Sequence, residues 1–257
     1  MKIGIIQICS KLDYQENLRK ITSYLEEATS KNVEMVFLPE CFYSMSDGLS
    51  PTPYLVDESN EHYRNIKNLS VKFKIPLIGG SAAAVLNQKV VNRCFNFDQE
   101  GKDLGSYDKI HLFNCELKNK SINESDIYTP GVTLKLLELG KLKMGLSICF
   151  DVRYPEMYRQ YRLLGANLVT ISAAFTIPTG MAHWHTLVRA RAIENQFFVV
   201  APAQWGHHND RIQTYGHSLV VDPWGEVLAD AGDGEKLMVA DINLNQVEEV
   251  RKKVRLF

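Results

Sequence analysis

A surplus of charge of either sign is missing from this chain: 29 Lys and Arg stand against 30 Asp and Glu, for a formal net charge of −1. That balance removes the electrostatic reason to expect a nucleic acid or an anionic membrane as partner, and a small molecule becomes the better expectation. Paired cysteines are missing too. The five cysteines, Cys9, Cys41, Cys94, Cys115 and Cys149, are odd in number and far apart, with no C-x-x-C pair to hold zinc or exchange disulfides. Free thiols in a reducing cytoplasm are expected. The N-terminal segment MKIGIIQICSKLD has one lysine and an apolar run that stops at polar residues, too short for a signal h-region or a membrane span. Low-complexity linkers and fixed-period repeats are also absent. What remains, 257 residues with 45% hydrophobic content, suits one domain over residues 1–257 with a continuous core.

The hydrophobic pattern alternates between two periods. KIGIIQI is β-branched and nearly continuous, as a strand buried on both faces should be, and Leu18, Ile21, Leu25 and Ala28 follow at helical spacing. EMVFLPE, the helical face Tyr63, Ile66, Leu69 and Phe73, and IPLIGG repeat the unit. VVNRCFNFD with the segment after EGKDLG, and LKLLELGKLKMGLSIC, read as antiparallel pairs around glycine-containing turns. Helices are predicted over residues 154–164 and 181–195, each ahead of a strand, ANLVTISAA and FFVVAPAQ. GHSLVVDPWGEVLADAG reads as a hairpin turning at Pro223, Trp224 and Gly225, followed by the strand KLMVADINL and a short charged helix. Such alternation predicts α/β layers.

Cys149 ends an apolar strand and precedes DVRYPE, where Asp151 can cap the coming helix and Pro155 is tolerable only in its first turn. A thiol at this strand-to-helix corner meets backbone N–H groups and the positive helix end, which favours thiolate over a free thiol of pKa about 8.5. The N–H of Phe150 can cradle an oxyanion. The other four cysteines read as small buried hydrophobes. Glu40 closes VFLPE and Lys109 stands just after a strand, and ligands of open α/β sheets gather beyond the carboxyl ends of strands. Taken singly, each of these two is ordinarily a surface charge.

Together, LPE at Glu40, YDKIHLF around Lys109 and ICFDVRYPE around Cys149 resemble the three signatures of the nitrilase superfamily. SAAFTIPTGMAHWHTLVRARAIENQFFVVAPAQ and YGHSLVVDPWGEV are similar to stretches of its amidase branch, which includes deaminated glutathione amidases and ω-amidases. The resemblance implies a four-layer αββα sandwich, a homodimer or higher homo-oligomer formed across a helical face, and a Glu-Lys-Cys catalytic set that needs neither cofactor nor metal. In that set Glu40 serves as general base and acid, Cys149 as the nucleophile that forms a thioester and releases ammonia, and Lys109 with the Phe150 N–H as the oxyanion hole. Glu124 in KSINESDIYTPG matches the superfamily's second glutamate, expected to orient Lys109 or the substrate nitrogen; Glu116 is the weaker alternative. The chain departs from the superfamily's pattern at Asn114, where Asp is common, at Phe150, where Tyr is common, and at its end, VRLF, where many relatives carry a longer tail.

The resemblance therefore implies hydrolysis of a small carboxylate-bearing amide. An N-carbamoyl amine hydrolase and an idle scaffold of the same fold are the alternatives. The loop GHHNDRIQTYG resembles that of the deaminated glutathione amidases, which makes Arg211 or His207 a candidate for the substrate carboxylate, with Phe175 and Thr176 as further candidate wall residues. His183 and His185, two apart on a helix, point to different faces and cannot easily hold one ion; His207 and His208 are likewise not read as a metal site. Trp184, Leu187 and Val188 read as core. Arg189 and Arg191 read as ion-pair partners of Glu194. Gly79 and Gly80 mark a turn or a close backbone approach, since no phosphate-loop ending follows them.

Overall fold

The computed structural model describes residues 1–117 and 120–256, and of residues 116, 117 and 120–122 only the backbone course; the Glu116 side chain, the alternative to Glu124, lies outside the described residues. Two sheets pack face to face. In the first, Lys2–Gln7, Met35–Phe37 and Leu77–Ile78 run parallel, with Lys236–Asp241 antiparallel at the edge. In the second, Leu142–Ile148, Leu168–Ser172 and Phe198–Ala201 are parallel, flanked by Leu136–Leu139 on one side and by Leu219–Val221 and Val227–Asp230 on the other.

The layer order follows from which side chains meet. Ile3, Ile5, Phe37 and Ile78 of the first sheet share a buried cluster with Leu146, Ile148, Val169 and Ile171 of the second. Ile6, Val36 and Leu77 point the other way, onto Ile21 and Leu25 of α1 (Tyr14–Ser30) and Ile66 and Leu69 of α2 (Glu61–Phe73). The far face of the second sheet is covered by Tyr158 and Tyr161 of α3 (Pro155–Leu163) and Trp184 and Val188 of α4 (Ile177–Asn195). The result is helix, sheet, sheet, helix. A strand buried on both faces needs no polar alternation, which is why KIGIIQ reads as a continuous run. Each buried Ile or Leu contributes about 1.5–3 kcal/mol. The chain closes with α5 (Asn245–Lys253).

Local signals set most element ends. Asp13 caps α1 by accepting from the Gln15 N–H at 2.9 Å, and Pro155 occupies the first turn of α3. Several expectations are corrected. Asp151 does not cap α3: its carboxylate reaches back to the Ile148 N–H at 2.8 Å and closes the 3-10 turn Cys149–Arg153. α4 begins at Ile177, ahead of the expected residue 181, because Pro178 suits a helix's first turn. Ser81–Leu86, not assigned from the sequence, is a strand paired with Lys89–Cys94 across Asn87 and Gln88, both left-handed. Arg191 does bond Glu194 at 2.6 Å, whereas Arg189 donates to the Gly225 carbonyl at 2.9 Å. Gly79 has a φ of +82°, and a Cβ on Gly80 would lie 2.6 Å from that of Leu38, so both a turn and a close approach are present.

Candidate active site

Each side chain of interest sits where a strand ends. Glu40 follows the strand Met35–Phe37, Lys109 follows Tyr107–Asp108, and Cys149 follows Leu142–Ile148. Glu124 opens a one-turn 3-10 helix, Glu124–Asp126. Glu40 and Lys109 are only 2% and 1% exposed, and Cys149 6%. Charges are so deeply buried only when paired.

The pairing is complete for Lys109. Its Nζ lies 2.8 Å from Glu40 Oε1 and 2.7 Å from Glu124 Oε2. Glu124 is held in turn by the Phe113 N–H, which donates to Oε2 at 2.7 Å, and Glu40 by the Asn92 amide at 2.9 Å. The Gln204 amide donates to the Glu40 carbonyl at 2.9 Å and so fixes its backbone. Burial alone would lower the Lys109 pKa, but Glu124, Glu40 and the Cys149 sulfur outweigh it and hold the ammonium well above its ordinary value.

Cys149 has a φ of +48°, a left-handed conformation uncommon for a residue with a side chain. Asp151 over-determines this turn. Besides the Ile148 N–H it accepts from the Tyr107 hydroxyl at 2.7 Å and the His111 N–H at 3.0 Å, so the nucleophile's turn is tied to the segment carrying Lys109. The expectation of a stabilised thiolate is corrected. Burial and the nearby Glu40 charge push the Cys149 thiol well above its ordinary value, against the lowering pull of Lys109 and the Ala174 N–H.

These groups share one cleft. Phe150, Phe175 and Thr176 line it, whereas Arg211 and His207 do not: both are exposed, and Ile212 reaches the cleft instead. The Arg211 N–H bonds Asn209 Oδ1 at 3.0 Å in a turn that directs the side chain outward. Besides Lys109 the cleft holds a second cation, Arg153, which sequence reasoning missed. Its guanidinium lies over the Phe150 and Phe175 rings, 5.5 and 5.4 Å from their centroids, and its Nη2 is 3.2 Å from His183 Nδ1. Its Nε is buried without a hydrogen-bond partner among the described residues. The available signal was a position one turn past the cysteine, in VRYPE. Cys41 and Tyr128 also line the cleft, and no sequence pattern pointed to them.

The profile of the carbon-nitrogen hydrolases matches residues 2–252. The chain belongs to the carbon-nitrogen hydrolase family. It is 35% identical to a deaminated glutathione amidase of Dictyostelium discoideum, over 100% of this chain and 92% of that protein. It is 32% identical to human omega-amidase NIT2, over 100% and 93%. Among solved structures, the C. elegans NitFhit protein superposes with a TM-score of 0.90 at 36% identity, covering 98% of this chain, which spans 63% of that longer one. Saccharomyces cerevisiae Nit3 superposes with a TM-score of 0.87 at 30% identity, covering 100% and 94%. This carbon-nitrogen hydrolase is an enzyme acting on amides, with the αββα fold of the nitrilase superfamily.

Proposed function

We propose that this hydrolase releases ammonia from a small carboxylate-bearing amide, of the deaminated-glutathione or ω-amide kind, through a thioester on Cys149. The observation that carries the reading is the buried Lys109 ammonium between two carboxylates, in one cleft with the Cys149 thiol. Glu40 takes the thiol proton as sulfur attacks the amide carbon, then hands it to the departing ammonia. It next removes a proton from the water that attacks the thioester, and Cys149 regains a proton as the acid leaves. Lys109 and the Phe150 N–H carry the oxyanion of both tetrahedral intermediates. Glu124 keeps Lys109 aimed, and because it shares the ammonium with Glu40, Lys109 acts as a fixed charge and not as a base.

Arg153 replaces Arg211 and His207 in the role of meeting the substrate carboxylate, since it alone of these lines the cleft and has an unpaired buried N–H to offer. Phe175 and Thr176 form the wall beside it. Self-association across α3 and α4 is supported by the exposed Leu163, Met181 and Ile193, and a reducing cytoplasm by five free thiols. Among the described residues no helix is long and apolar enough to cross a membrane. The test is ammonia release from a panel of ω-amides of keto acids, deaminated glutathione and carbamoyl amines, with Cys149→Ala beside the wild type. Release from the carboxylate amides that vanishes in the variant is expected; turnover confined to carbamoyl amines would overturn the substrate reading.

A further inference from the structure

His183 and His185, two apart on α4, do point apart: His183 meets Arg153, while His185 Nε2 lies 3.0 Å from Asp230 Oδ2. Asp230 ends the strand Val227–Asp230, and its other oxygen lies 3.0 Å from His217 Nδ1, just ahead of the strand Leu219–Val221. Three separate elements thus bring two imidazole nitrogens and a carboxylate together, each ligand atom within 4.8 Å of the others. We propose that His185, His217 and Asp230 form a binding site for a divalent transition-metal ion, with zinc as the favoured occupant.

The chemistry of the donors fits. Two imidazoles and one carboxylate suit zinc, whose bonds of about 2.0–2.2 Å set ligand atoms roughly 3.4 Å apart in a tetrahedron. The 3.0 Å separations to Asp230 lie close to that spacing, and the two imidazole nitrogens, within 4.8 Å of each other, close on the ion as it binds. Binding requires the two facing ring nitrogens to give up their protons. Among the described residues no hydrogen bond engages His185 Nδ1 or His217 Nε2, so each ring can carry its proton there. The side chains are 35%, 23% and 32% exposed for His185, His217 and Asp230, which leaves an entry path and room for water in the fourth position.

Two of the three ligands are already held in place. His217 is left-handed, with a φ of +54°, and is pinned by the Trp184 indole N–H donating to its carbonyl at 2.7 Å and by its own N–H donating to the Gly232 carbonyl at 3.1 Å. The Tyr215 ring stacks on it at 4.4 Å, and the Gly232 N–H donates to Asp230 Oδ1 at 2.8 Å. Such outer contacts orient metal ligands. An ion here would tie α4 to the hairpin ending at Asp230.

The test is calorimetric titration of zinc chloride into the metal-free full chain, with cobalt(II) absorption to identify the donors. One equivalent is expected in the wild type, with cobalt showing tetrahedral absorption and no thiolate charge-transfer band. His185→Ala, at a half-buried helix position, and Asp230→Asn should each weaken binding at least tenfold and abolish the zinc-dependent rise in Tm, while His183→Ala leaves both unchanged. Equal affinity in wild type and His185→Ala, or a cobalt–thiolate band, would overturn the site.

Discussion

The raised pKa of Cys149 separates this nucleophile from one activated by a lowered pKa. Burial and the Glu40 charge raise its pKa, so the thiolate fraction in the free enzyme keeps growing as pH rises past the ordinary thiol value of about 8.5. The rate of Cys149 alkylation by iodoacetamide should therefore climb through pH 9 without a plateau, as followed by loss of activity. A plateau below pH 8 would mean a stabilised thiolate and would undo the assignment of Glu40 as the group that takes the thiol proton. Arg153 offers a second prediction. Losing a charge-assisted bond of about 1.5–3 kcal/mol should raise KM for carboxylate amides roughly 10- to 100-fold in Arg153→Met, with a smaller effect on kcat. Arg211→Ala should leave KM unchanged, and steady-state kinetics on both variants decides between the two cations. The contrast shows what was legible at this scale. Glu40, Lys109 and Cys149 can be singled out because each lies in a short motif, and the order of the motifs gives them meaning. Arg153 becomes visible only when Phe150 and Phe175 are brought under its guanidinium.

At the scale of elements, legibility followed the strength of the local pattern. The parallel strands, buried on both faces, and the helices α1 and α2, with one apolar stripe each, could be read from periodicity. The hairpins Asn114–Leu117 with Lys120–Asn123 and Trp205–His207 with Gln213–Tyr215 could not. They are three or four residues long, too short for a strand period to show in the sequence. Ser81–Leu86 escaped for another reason: SAAAVL is alanine-rich, and alanine has little strand preference of its own. Gly145 shows how closely elements pack. It lies within the strand Leu142–Ile148, and a Cβ there would stand 2.6 Å from the Tyr161 ring of α3, whose position is fixed by the Tyr161 hydroxyl bonding the Leu146 carbonyl. Gly145→Ala should destabilise the protein by about 1–3 kcal/mol through overpacking, measured as a lower urea midpoint with an unchanged m-value.

For the whole molecule, the decisive relation is that the two sheets contribute different parts of one reaction. Glu40 leaves the end of a strand in the first sheet and Cys149 the end of a strand in the second, so their separation is set by how the sheets are locked together. Apolar contacts between sheets supply most of the stability but are non-directional, and they tolerate small slides. Directional bonds across the interface limit such slides. Ser172, in the second sheet, places its hydroxyl 2.6 Å from the Gly79 carbonyl and 3.1 Å from that of Leu38, two residues before Glu40. Gln204, following the strand Phe198–Ala201, likewise donates to the Glu40 carbonyl. Ser172→Ala removes the donor and leaves buried carbonyls with less than their full complement, a cost of about 1–3 kcal/mol. If the bond also sets the distance between base and nucleophile, kcat should fall by roughly tenfold or more while KM stays near wild type, because near-attack geometry is sensitive to shifts of about an ångström. Parallel urea unfolding and steady-state kinetics distinguish the roles. A loss of stability with unchanged kcat would make Ser172 a structural tie alone, whereas a fall in kcat at temperatures far below Tm would show that the bond between the sheets helps to position the catalytic pair.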